Sequence, residues 1–123
     1  MLDKKWSVVN SIKHASFGIW VAFRDEQNMR IHGILTLLAI IMMIALKVST
    51  IEGLVLGLDI ALVWVAELMN TSIEESFNIH GQDKNPQIKI GKDVAAGAVL
   101  IASLNALIAA LIIFLPKLNL LLR

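Results

Sequence analysis

The sequence predicts an all-α membrane protein, with an N-terminal amphipathic surface helix followed by three transmembrane helices. Two observations lead there. Hydrophobic residues make up 57% of the 123 and charged residues only 17%. The mean hydropathy of +0.73 lies well above what soluble domains carry. The net charge of +1 supplies no field for nucleic acid, and no basic block interleaved with aromatics argues for it. The absence of cysteine removes disulfides, thiolate metal sites and thiol nucleophiles. No cleavable signal peptide is expected, because charges run through the first thirty residues and leave no apolar core of the needed length.

Residues 1–33 are expected to form the interfacial helix. Trp6, Val9, Ile12, Ala15, Phe17, Ile19, Trp20 and Phe23 supply its apolar surface, and Lys4, Lys5, Lys13, Arg24 and Arg30 its polar one. Gly18 is expected to mark a break or a close contact. Residues 34–50 form the first span, short against the roughly 20 residues of a crossing, with Lys47 snorkelling and His32 or Ser49 recruited to the interface. A tight connection makes the second span, 53–77, antiparallel to it. Residues 78–93 contain Gly81, Asp83, Lys84, Asn85, Pro86 and Lys89, and are expected to be a loop outside the bilayer. The third span, 94–116, offers Ala95, Ala98 and Ala102 for close helix contact. Pro116 is expected to end it, leaving a short tail at 117–123.

The second span carries the unusual residues. Its end reads ELMNTSIEESFN from Glu67 to Asn78, and at about 100° per residue Glu67, Asn70 and Glu74 share one helix face. Burying a carboxylate costs several kcal/mol unless it finds partners, so packing does not explain this face. Asp59, higher in the same run, reads equally as a functional acid or as a protonated or interface-paired one. Lys4, Lys5, Lys13, Arg24, Arg30, Lys84, Lys89 and Lys92 fall on one side of this topology, and Lys47, Lys117 and Arg123 on the other. The positive-inside rule then places the N-terminus, the Glu67 face and the 78–93 loop in the cytoplasm.

A hydroxyl attacking a phosphoryl group needs a base, a divalent cation and a positive group near the phosphates. Glu67, Glu74, Glu26 and Lys92 are the residue types that chemistry uses, and carboxylates suit magnesium, a hard ion that takes oxygen ligands. Neither GxxxxGK nor GxGxxG occurs, so spacing alone does not select a kinase.

The stretch Glu67 to Glu74, with KDVAAGAV from Lys92 and the upstream RDEQNMRIH from Arg24 to His32, resembles the small bacterial membrane kinases that phosphorylate diacylglycerol or undecaprenol. The likeness runs from about Ser11 to Pro116. It implies a homotrimer in the bacterial cell membrane, with active sites shared between subunits at the cytoplasmic face, using ATP, Mg2+ and a lipid alcohol. By motif position, Glu67 would be the general base and Asn70 would help it orient the lipid hydroxyl. Glu26 and Glu74 would hold the metal on the ATP phosphates. Lys92 would lie against those phosphates, Asp93 beside the nucleotide, and Asp83, Lys84 and Asn85 in contact with it. Asn78 stands where many relatives have aspartate, and Asp59 where they have an apolar or small residue. The 24–32 run and the segment before Lys92 resemble the undecaprenol branch more than the diacylglycerol one.

Plainer readings accompany these. Glu74 and Lys92 could make a structural ion pair, Glu75 reads as a solvated charge, and His14, His32 and His80 read as interfacial residues rather than ligands. A non-enzymatic proton- or solute-conducting oligomer would instead spread its acids through the membrane depth. Here three of the four acids gather at one boundary, and Asp59 alone sits apart.

Overall fold

The computed structural model describes residues 7–79 and 85–123, and every regular element in them is helical. The order is α1 Val8–Asp25, α2 Gln27–Ala45, α3 Thr50–Ile79 and α4 Pro86–Leu122. Two of these, Gln27–Ala45 and Pro86–Leu122, are long and apolar enough to cross a membrane. Most large apolar side chains on α2, α3 and α4 face outward, Ile44, Leu58 and Ile101 among them. A water-soluble bundle would hide that surface, whereas a bilayer accepts it.

The N-terminal stretch is divided. A surface helix was expected through residue 33, but the chain leaves helical geometry at Glu26 (φ −105°, ψ 118°) and restarts at Gln27. Gly18 lies inside α1 without a break. The division is held by Arg30, whose Nη1 donates to the carbonyls of Phe23 (3.1 Å) and Arg24 (2.8 Å), two of the unpaired acceptors at the end of α1. Phe23 then wedges between α2 and α3. A Cβ on Gly33 would sit 2.7 Å from its Cε1, and its ring meets Trp64 edge-on with centroids 5.1 Å apart.

The α2–α3 turn is tight, as the sequence suggested. Lys47 takes a left-handed conformation (φ 50°), and the Val48 amide donates back to the Met43 carbonyl at 3.2 Å. Helix α3 starts at Thr50, before the expected 53, because Ser49 and Glu52 cap each other. The Glu52 amide donates to Ser49 Oγ at 3.1 Å and the Ser49 amide to Glu52 Oε1 at 2.8 Å.

Two expectations about α4 are corrected. The loop was expected to run to residue 93, yet α4 begins at Pro86. Asn85 is its N-cap, its Oδ1 accepting from the Gln87 amide at 2.9 Å, and a proline at the first helical position costs no hydrogen bond. Asn-Pro here is a start signal, not a break. At the far end the helix passes through Pro116 and reaches Leu122. Ile113 and Phe114 are anchored against Leu56, and Lys117 Nζ reaches Glu52 Oε1 at 3.1 Å. Continuing the helix keeps the backbone of an apolar segment satisfied, which stopping would not.

Gly33→Ala is expected to overpack the Phe23 wedge and cost about 1–3 kcal/mol, read as a lower unfolding midpoint in detergent, with Phe23→Leu recovering most of the loss. Ser49→Ala is expected to cost about 1 kcal/mol by the same assay, through loss of the α3 cap.

Candidate functional site

The face drawn from the 67–74 spacing is the most buried polar part of the molecule. Glu67 is 1% exposed and Asn70 6%, the only polar residues among the buried ones described. Along this part of α3 the polar side chains of Glu67 and Asn70 are turned into the protein, while Leu58, Leu62 and Val65 are turned out. Glu67 Oε2, Asn70 Oδ1 and Thr71 Oγ1 have no hydrogen-bond partner. Orphaned buried acceptors at one spot are rare, and they mark a place where something else completes the bonding.

Glu26 lies at the α1–α2 break, where the backbone turn brings it toward α3. Its burial, followed by the nearby charges of Glu74, Glu67 and Glu75, holds its carboxyl above the usual carboxylate range. The expected partners Glu26, Glu67 and Glu74 are therefore electrostatic neighbours, although α1–α2 and α3 contribute them separately. Asp25 is taken up elsewhere, in a two-bond contact with Arg24 (2.6 and 2.9 Å), and Arg24 stacks on Trp20.

The nucleotide candidates begin α4. Lys92 Nζ donates to Asn78 Oδ1 at 3.0 Å, so the residue standing in place of an aspartate serves as a lysine acceptor. Asp93 accepts from Lys89 Nζ at 2.7 Å on the exposed surface, and Asn85 caps α4. Asp83 and Lys84 lie outside the described residues. Asp59, set apart from the acids, accepts from Asn105 Nδ2 at 2.9 Å and so has a partner on α4.

The sequence reading, which took His32 as an interfacial residue, did not foresee one contact: its side chain is 15% exposed and its Nε2 lies 3.4 Å from Glu67 Oε2. The signal that could have found it was its place in the 24–32 run, six residues after Glu26. Below His32 a cavity of about 380 Å³ opens between α2, α3 and α4. Leu35, Met42, Ile60, Val63 and Phe114 give it an apolar wall, and His32, Thr36, Asp59 and Ser103 its few polar atoms. An apolar cavity with few polar groups, His32 among them where it meets Glu67, suits a ligand that is mostly hydrocarbon.

No group of three or more His, Asp or Glu suited to a metal is found among the described residues. Glu26 and Glu74 nonetheless fit Mg2+, which binds through one or two carboxylates together with substrate phosphates and water. The unrelieved repulsion on Glu26 is what a cation would relieve.

The sequence pattern described as prokaryotic diacylglycerol kinase matches residues 13–114. The undecaprenol kinase of Bacillus subtilis (strain 168) is 36% identical over 108 residues, 88% of this chain and 88% of that protein. The diacylglycerol kinase of Synechocystis sp. is 37% identical over 109 residues, 88% of this chain and 62% of that one. That of Escherichia coli (strain K12) is 28% identical over 101 residues, 82% and 83% of the two chains. The matched region takes in all of α2 and α3 and every carboxylate gathered around Glu67, and on that ground the chain belongs to the prokaryotic diacylglycerol kinase family, a family of lipid kinases.

Proposed function

We propose that the protein transfers the ATP γ-phosphoryl group to the hydroxyl of a membrane lipid alcohol, undecaprenol, giving undecaprenyl phosphate. The observation that carries this reading is a buried carboxylate, Glu67, with an unpaired oxygen beside the polar end of an apolar cavity and next to two further carboxylates. The 36% identity to an undecaprenol kinase, over 88% of both chains, supports the polyprenol branch. With diacylglycerol as acceptor the product would be phosphatidic acid.

In this reading α2, α3 and α4 span the bilayer, α1 lies at the cytoplasmic surface, and the working form is a homotrimer with shared sites. Helix α4, 37 residues long, measures roughly 55 Å against a hydrocarbon core of about 30 Å, so its first turns stand in water with Lys92. Glu67 is the base for the lipid hydroxyl, and Asn70, one turn on, holds that hydroxyl in line. Glu26 and Glu74 would hold Mg2+, which when bound would neutralise phosphate charge and leave the γ-phosphorus more open to attack. Lys92 swings from Asn78 to the phosphates, and Asp93, Asn85, Asp83 and Lys84 border the nucleotide.

Phosphate transfer from radiolabelled ATP, measured separately with undecaprenol and diacylglycerol in mixed micelles, tests the reading. Faster transfer to undecaprenol is expected. Transfer to neither lipid, from protein shown to be folded and oligomeric, would overturn it. Glu67→Gln should lower kcat by at least 100-fold with an unchanged unfolding midpoint.

The raised carboxyl of Glu26 sets a second expectation. In the fold this group holds its proton to higher pH than in the unfolded chain. Its contribution to stability is therefore full below the ordinary glutamate pKa and is lost as pH rises through the raised one. Metal-free protein should lose thermal stability across that window, Mg2+ should restore it on the alkaline side, and Glu26→Gln should flatten both effects. Thermal melts at a series of pH values, with and without Mg2+, read this directly.

A further inference from the structure

Beside Glu67, the residue that lines the acceptor cavity is His32. It lines the cavity wall, whereas Glu67 does not and is almost wholly enclosed. His32 thus borders the cavity and also meets Glu67, its Nε2 lying 3.4 Å from Oε2. That separation is longer than a hydrogen bond, and Oε2 makes none, which is common for catalytic contacts before substrate closes them. His32 Nδ1 has no hydrogen-bond partner among the described residues.

The backbone beneath His32 is fixed from both neighbours. Thr36 Oγ1 donates to the His32 carbonyl at 2.7 Å and accepts from Trp64 Nε1 at 2.8 Å, so α3 holds α2 in register one turn below the imidazole. Trp64 in turn packs on Phe23, whose ring fills the space left open by Gly33, the residue after His32. A side chain that served only the interface would not need this framework.

We propose that Glu67 and His32 work as an acid–base pair in which His32 is the catalytic residue that meets the lipid hydroxyl and Glu67 is its positioning residue. The inference rests on the lipid-kinase reading and changes which atom touches the acceptor. The hydroxyl proton passes to His32 Nδ1. The oxygen's lone pair forms the bond to the γ-phosphorus, and the bond from that phosphorus to the bridging oxygen breaks, its electron pair leaving with ADP. The Glu67 carboxylate holds the resulting imidazolium through Nε2–H, and the imidazolium then returns its proton to water. This is the division of labour of a buried acid orienting an exposed histidine, applied to a phosphoryl acceptor.

The charged groups facing His32 are few. Helix α3 presents Glu67, and Asp59 farther down the cavity, with its carboxylate engaged by Asn105. Helix α4 lines the cavity with neutral residues, Ser103 among them. On α2 itself Arg30 is turned to the end of α1, where Arg24 and Asp25 pair with each other.

The test is steady-state kinetics of full-length wild-type, His32→Gln and Glu67→Gln protein in mixed micelles, at saturating undecaprenol and MgATP. Glutamine keeps a side-chain amide that can bond Glu67 but accepts no proton at neutral pH. A fall in kcat of about 100-fold or more for His32→Gln, with the KM for ATP within about twofold of wild type, is the expected result. His32→Gln activity within threefold of wild type would overturn the pair and leave Glu67 acting alone, while wild-type transfer itself still upheld the kinase reading. Should His32→Gln fail to fold by thermal melt, His32→Asn, one methylene shorter and equally unable to take the proton, is measured in the same way: a fall in kcat of about 100-fold or more supports the pair, and activity within threefold of wild type overturns it.

Discussion

A carboxylate 1% exposed, with one oxygen unpaired, is the constraint on which the rest of this structure depends. Desolvation of such a group costs several kcal/mol, so the surrounding helices must recover that energy or hold it for a ligand. The fold does some of each. It sets a histidine within contact distance, brings two further glutamates into the same neighbourhood, and supplies no lysine or arginine to Glu67 among the described ion pairs. The like charges are brought together by a backbone break at Glu26 and by helix spacing on α3, two features fixed independently of each other. Their convergence has a ready account in cation and phosphate chemistry, where negative groups gather because positive ones arrive with the substrate.

The site is also divided by solvent. Of the nucleotide candidates, Asn85, Lys92 and Asp93 lie on the first turns of α4, whereas the acceptor candidates Glu67 and Asn70 are buried. A reaction between a water-soluble donor and a bilayer-dissolved acceptor needs such a division, since neither substrate can enter the other's phase. Lys92 and Asn78 bridge the two parts, joining the start of α4 to the end of α3.

The helical class and the buried face were legible in the sequence because each rests on periodicity. A 3.6-residue repeat puts Glu67, Asn70 and Glu74 together whatever surrounds them, and the backbone obliges. Helix ends were less legible, because a cap is a local hydrogen bond and its residues have two meanings. Asn85-Pro86 was read as a break and acts as a start; Ser49 and Glu52 cap reciprocally without standing out; Pro116 was expected to stop a helix that packing and the Glu52–Lys117 pair carry onward. Glu26 was named for its residue type and given its role by motif likeness, and the break that carries it was not foreseen. The contact of His32 with Glu67 was not legible for a different reason: it depends on the packing of α2 against α3, a long-range contact that no local pattern encodes.

The pairing of Asp59 with Asn105 bears on how the chain enters a bilayer. Taken singly, α3 is a poor candidate for insertion, since an acid at the centre of a membrane helix costs about 2.5–3.5 kcal/mol on translocon scales, and α3 holds both Asp59 and Glu67. Each acid has a polar neighbour on a different helix, Glu67 through His32 of α2 and Asp59 through Asn105 of α4. The short α2–α3 turn delivers the first of these during synthesis, and the second arrives only with α4. Each acid on α3 thus gains its polar neighbour from a different helix, one made before it in the chain and one made after it.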